Sequence, residues 1–150
     1  MGIGHAMNSI DINQRPAFID TNILVYSIDK RDESKHVKAR ELLQTLERNG
    51  APVISTQVLM EFNSVITSRL RIDQFNAKRL VELYSNMTVL PVNTDLIKQA
   101  IDVSILHRLS FWDAMIVSSA ERAGCSILYS EDLNSEQIIN GVRIINPFNE

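Results

Sequence analysis

Cysteine is nearly missing from this chain. Cys125 is the only one in 150 residues, so no intramolecular disulfide can form, and a reducing compartment, the cytoplasm, is the expected setting. Long hydrophobic runs are missing too: the longest apolar stretches match a strand or a helical turn, too short to span a bilayer. There are only five glycines, and no glycine-rich loop follows an apolar run, which argues against a P-loop or a dinucleotide-binding fold. Nor is there an excess of positive charge. With a formal net charge of −3 at pH 7, a surface built mainly to attract nucleic acid is not expected. If a nucleic acid is bound, local basic stretches must draw it, and Arg69, Arg71, Lys78 and Arg79 form the first such stretch to consider. His5, His36 and His107 are scattered without the paired spacing of a metal motif. Met1 to Gln14 has too little apolar content and no basic region for a signal peptide. Residues 1–14 are expected to be a disordered or appended tail, with Met1–Ala6 an added remnant and Met7 the native start, ahead of a single domain over 15–150.

What is present is ordinary for a soluble globular domain, with 45% hydrophobic and 22% charged residues. Short apolar runs alternate with amphipathic stretches. Ala17-Phe18-Ile19, Val53-Ile54, Val89-Leu90, Ile127-Leu128-Tyr129 and Val142-Arg143-Ile144-Ile145 read as strands, the last after a turn at Asn140-Gly141. Helices are expected over Thr21 to Lys30, Glu33 to Arg48, Thr56 to Leu70 and Asp73 to Met87. Two more should run from Thr94 to His107 and from Ser110 to Gly124, with Thr94 and Ser110 as their caps. This alternation implies an α/β domain: a mostly parallel sheet of about five short strands with helices on both faces. Ligands of such sheets bind beyond the carboxyl ends of the strands, near the switch in strand order. Chemistry is therefore sought just after Ile19, Ile54, Leu90 or Tyr129.

Four acidic residues stand out against that expectation, two of them at strand ends. Asp20 follows the first strand, where it could also simply cap the next helix. Asp113 interrupts the apolar run Phe111 to Val117, and Ser110-x-x-Asp113 has capping-box spacing. Asp132 follows the fourth strand, beside Glu131, in what could be only a polar turn. Glu61 lies on the flank of a helical stripe made by Val58, Phe62, Val65 and Ile66. Together they are more informative than singly. Two carboxylates about 4 Å apart repel by roughly 4 kcal/mol at an effective dielectric of 20, so such a cluster needs protons, cationic side chains or a metal. Hard divalent cations take oxygen ligands, and a metal held this way can activate water against a phosphodiester.

The stretches carrying these acids resemble, in order and spacing, the four motifs of PIN-domain nucleases of the VapC toxin type. They are Asp20-Thr21-Asn22-Ile23-Leu24-Val25-Tyr26, Gln57-Val58-Leu59-Met60-Glu61-Phe62, Leu109-Ser110-Phe111-Trp112-Asp113-Ala114 and Leu128-Tyr129-Ser130-Glu131-Asp132-Leu133. The ending Ile145-Asn146-Pro147-Phe148 is similar to the family's last strand. The resemblance implies a PIN fold and a divalent-metal endoribonuclease using Mg²⁺ or Mn²⁺, the toxin of a toxin–antitoxin pair. It implies Asp20 and Asp113 as direct metal ligands, Asp132 as a direct or water-mediated one, and Glu61 as the residue orienting water. Thr21, Asn22 and Ser130 become candidate supporting groups. It also implies an antitoxin partner and a homodimer, expected to use apolar positions such as Leu59, Met60, Leu80, Leu83 and Tyr84. Two other readings stay open. A phosphatase could use Asp20 as nucleophile, although Asn22 stands where haloacid-dehalogenase-like proteins place a second aspartate. A non-catalytic module could use the acidic pocket to receive a basic partner segment.

Overall fold

A computed structural model describes residues 15–149; the expectations about residues 1–14 lie outside them. Six strands form one sheet: β1 (Ala17–Ile19), β2 (Pro52–Ser55), β3 (Thr88–Leu90), β4 (Ile127–Tyr129), β5 (Ile138–Ile139) and β6 (Val142–Ile145). Their order is β3-β2-β1-β4-β6-β5. Every pairing is parallel except β5 with β6. The sheet thus has one strand more than the expected five. The sixth is a two-residue edge strand returning through Asn140 and Gly141, whose φ values of +50° and +82° suit a tight primed turn. The turn is legible in the sequence, whereas a two-residue strand carries no period to read.

The helices are α1 (Thr21–Ile28), α2 (Glu33–Arg48), α3 (Thr56–Ser68), α4 (Gln74–Tyr84), α5 (Thr94–His107) and α6 (Phe111–Arg122). Side chains fix their starts. Asp20, Asp32, Ser55, Asp73, Asn93 and Ser110 each accept a hydrogen bond from a backbone N–H in the first turn. Asn93, not Thr94, caps α5, because its amide oxygen reaches the Leu96 N–H at 2.9 Å. Helix α1 packs on α2 and α3, α3 packs on α4, and α5 packs on α6. From β1 the chain steps through β2 to β3 on one side, then returns to β4 on the other. Right-handed crossovers in these opposite directions put α1–α4 on one face and α5–α6 on the other. Both faces of the central strands are covered, and Phe18, Ile19, Ile54, Leu128 and Ile144 are fully buried. Among the described residues no helix is long and apolar enough to cross a membrane.

The reversal of direction falls between β1 and β4. Ile19 is in register with Tyr129, so the next residues, Asp20 and Ser130, emerge side by side at the carboxyl edge. The Asp20 N–H donates to the Tyr129 carbonyl at 3.0 Å, continuing the ladder one step into the loop.

Candidate active site

Asp20 sits at the bottom of this edge, buried, with both carboxylate oxygens engaged. Oδ1 accepts from the Thr21 N–H at 2.7 Å and Oδ2 from the Ser130 hydroxyl at 2.7 Å. The capping role and a site role are therefore compatible. Burial pushes the Asp20 carboxyl up to about 6; the Ser130 and Thr21 hydrogen bonds oppose the rise, and the charges of Asp132 and Glu61 add to it. Among the described residues no cationic side chain bonds to the carboxylate.

Asp132 is exposed above it, in the loop after β4. Its Oδ2 accepts from Asn22 Nδ2 at 3.0 Å, and its N–H donates to Ser130 Oγ at 3.2 Å. Ser130 therefore ties the two aspartates together. The neighbouring Glu131 has other partners: its carboxylate takes the Tyr26 hydroxyl at 3.0 Å and the Lys35 ammonium at 2.5 Å. Lys35 also lies over the Tyr26 ring, 5.0 Å from its centroid. This network gives two adjacent acids different partners: Asp132 bonds to Asn22, and Glu131 anchors the loop to Tyr26 and Lys35.

Glu61 is half-buried on α3. Its Oε1 accepts from Gln57 Nε2 at 3.0 Å, one helical turn earlier, and from Thr21 Oγ1 at 3.5 Å. Burial raises its pKa first of all; the two hydrogen bonds lower it, and the charges of Asp113 and Asp132 raise it further. Asp113, half-exposed in the first turn of α6, donates its N–H to Ser110 Oγ at 3.1 Å. Its carboxylate makes no hydrogen bond among the described residues and couples to the group through Glu61. Asp20, Glu61 and Asp132 are thus brought together directly, while Asp113 joins from the opposite helical layer through Glu61.

Among the described residues, no three acidic, histidine or cysteine side chains already stand in an arrangement that would hold a metal ion. The chemistry of the donor set nonetheless suits a hard divalent cation. It is all oxygen, the neighbouring carboxylates help to raise the pKa values of Asp20 and Glu61, and no cation among the described residues is bonded to Asp20, Glu61, Asp113 or Asp132.

Gln57 is absent from the residues singled out by sequence. It is buried, holds Glu61, reaches the Trp112 carbonyl at 3.5 Å, and leaves its own Oε1 buried without a partner. The four-residue spacing to Glu61 was the available signal. A cavity of about 420 Å³ opens beside the carboxylates, lined in part by Thr21, Asn22, Tyr26, Glu61 and Asp132. The remaining candidates behave as structural residues. Cys125 is buried, with its thiol pushed up to about 12, and His36 Nδ1 meets the Tyr26 carbonyl at 2.8 Å. His107 ends α5 as expected.

A parallel α/β domain with an acidic site at its switch point is the class that fold and geometry define. The family model of the PIN domain matches residues 17–138, and the chain belongs to the PIN domain family. Solved structures agree on the fold. The chain is similar to VapC20 of Mycobacterium tuberculosis, a sarcin–ricin-loop-cleaving toxin, with 22% identity and a TM-score of 0.64, covering 77% of this chain and 89% of that one. It is similar to a toxin–antitoxin complex from Klebsiella pneumoniae, with 21% identity and a TM-score of 0.65 over 87% and 97%. DNA-bound VapBC from Salmonella typhimurium matches with 24% identity and a TM-score of 0.61 over 87% and 96%. No curated protein matches the sequence significantly.

Proposed function

We propose that this chain is a VapC-type toxin, a divalent-metal-dependent endoribonuclease of the cytoplasm that a cognate antitoxin holds in check. One observation carries the reading: Asp20 is buried at the sheet's switch point, its carboxyl driven up to about 6, with Asp132 and Glu61 near enough to add to the rise and no cation bonded to it among the described residues. Asp20, Asp113 and Asp132 would hold the cation, Mg²⁺ or Mn²⁺, which supplies activation of water and stabilisation of charge on the phosphodiester. The chain's own residues set the geometry. Ser130 fixes the rotamer of Asp20, Asn22 fixes that of Asp132, and Gln57 with Thr21 holds Glu61 where it can orient water. The solved toxin–antitoxin complexes of the same fold support an antitoxin partner and an RNA substrate for this chain.

The aspartate-nucleophile phosphatase is disfavoured by Asn22, whose amide is committed to Asp132 and offers no carboxyl for proton transfer. Cleavage mapping on RNA with purified protein tests the proposal. Cleavage should require added divalent metal and disappear in Asp20→Asn and Asp113→Asn while the fold persists. Undiminished metal-dependent cleavage by both variants would overturn the site. Trapping of a phosphoenzyme on wild type would revive the phosphatase.

A further inference from the structure

We propose that Arg69 forms a binding subsite for an RNA phosphate next to the scissile one, a proposal that rests on the ribonuclease reading above. The cavity beside the carboxylates has two characters. Its lining carries the acids Glu61, Asp132, Glu131 and Asp29, the two cations Arg31 and Arg69, and the apolar Val65 and Leu70. A strand of RNA in this space meets carboxylates, and on a chain of net charge −3 its phosphates need a local cation to remain.

Arg31 is already committed. Its guanidinium chelates Asp29, with Nε at 2.9 Å from Oδ1 and Nη2 at 2.8 Å from Oδ2. Arg69 has no hydrogen bond or ion pair from its guanidinium to any described residue, and it is exposed. The rest of its basic stretch does not compete for the role: Arg71, Lys78 and Arg79 stand outside this cavity, and Lys78 lies 4.0 Å from Glu82.

Helix α3 fixes where Arg69 stands. Glu61, Val65 and Arg69 follow one another at four-residue intervals, so they share a face, with Arg69 about 12 Å beyond Glu61 along the axis. The acid and the cation are therefore held at a fixed separation by one rigid element, with an apolar residue between them for a ribose or base to rest on. A planar, permanently charged fork suits phosphate oxygens. A basic residue at a helix C-terminus also complements the helix dipole. That accounts for a cation at the end of α3 but not for its placement on the cavity wall.

The test is binding of a fluorescein-labelled single-stranded RNA of about twelve nucleotides, followed by anisotropy in EDTA over a series of salt concentrations, alongside steady-state cleavage with metal. Arg69→Ala should weaken binding about tenfold, lower the salt slope by about one, and raise KM with kcat held. Arg69→Lys should retain the slope, and Arg79→Ala should leave both readouts near wild type. Wild-type affinity and slope in Arg69→Ala, while Asp20→Asn still abolishes cleavage, would overturn the subsite and leave the ribonuclease standing. Equal losses in Arg69→Ala and Arg79→Ala would replace the subsite with diffuse attraction and overturn it. Unchanged RNA binding with weakened antitoxin binding would assign Arg69 to a protein partner instead. A wild type that neither binds nor cleaves RNA would bring down the ribonuclease reading itself, and the subsite with it.

Discussion

Ser130 stands 110 residues from Asp20 in the chain, yet its hydroxyl donates to Asp20 Oδ2 at 2.7 Å while its oxygen accepts the Asp132 N–H at 3.2 Å. The contact follows from the parallel register of β1 and β4, which brings the two strand ends level. Removing the hydroxyl leaves a buried carboxylate oxygen without its side-chain donor and frees the loop that carries Asp132. Ser130→Ala should weaken divalent-metal affinity or metal-dependent cleavage about 10- to 100-fold. A metal titration of cleavage that superimposes on wild type would remove Ser130 from the site.

The raised pKa of Asp20 makes a prediction about the metal-free protein. Its folded-state value of about 6 lies above the ordinary 3.8, so folding favours the protonated form. The stability this group contributes is fully present below pH ~4 and is lost as pH rises through ~6, a change of roughly 3 kcal/mol at most. Glu61 acts in the same direction. Chemical denaturation in EDTA should therefore show wild type losing stability relative to Asp20→Asn as pH rises from about 4 to about 6.5. Divalent metal should restore it at the higher pH. Parallel pH profiles for the two proteins would mean that Asp20 is not strained by burial.

The acids were legible because strand ends, a helix start and a helix flank are local features. So was the parallel sheet, since apolar runs and caps repeat along the chain. What escaped is what the tertiary arrangement creates. Glu131 and Lys35 are 96 residues apart, and nothing local says that Glu131 pairs with Lys35 and Tyr26 while Asp132 pairs with Asn22. Gln57 lies four residues from Glu61, but that spacing acquires meaning only once Glu61 is known to face a cavity. The basic stretch of Arg69, Arg71, Lys78 and Arg79 was legible without showing that Arg69 alone of these four lines that cavity. Met60 and Leu83 are exposed, as expected for an interface, but Tyr84 is not available for one. It is buried against Phe62, ring centroids 5.2 Å apart, and its hydroxyl meets Ser27 at 2.5 Å.

Exposure points to a second surface for self-association. Ile97, Ile101 and Ile105 recur at four-residue intervals on α5, and Ile105 and Leu106 are each 74% exposed, with Trp112 exposed at the start of α6. A stripe of this kind on a small domain marks an interaction site. Light scattering at micromolar concentration should give a dimer mass. Ile101→Lys with Ile105→Lys should reduce it to the monomer, whereas Met60→Lys with Leu83→Lys should not. The reverse pattern would place the interface on the α3–α4 pair, and a wild-type monomer would exclude both.

Inhibition by an antitoxin has a physical route through the same carboxylates. An arginine side chain pairs bidentately with carboxylates and carries a permanent charge, so a cluster of acids without a cation is a ready receptor for it. Accessibility decides which acids it can reach. Asp20 is buried with both oxygens engaged, whereas Asp132 is exposed and Glu61 and Asp113 are half-exposed. An inserted arginine should therefore bridge Glu61, Asp113 and Asp132 and compete with metal without needing to displace Ser130 from Asp20. Isothermal titration of an antitoxin segment bearing that arginine should show affinity falling as divalent metal is added, and falling again in Asp113→Asn or Asp132→Asn. Ser130→Ala should leave that affinity little changed, which separates occupation of the outer acids from occupation of the buried one. Affinity indifferent to metal and to all four acids would move inhibition away from the site, to steric cover of the RNA path past Arg69.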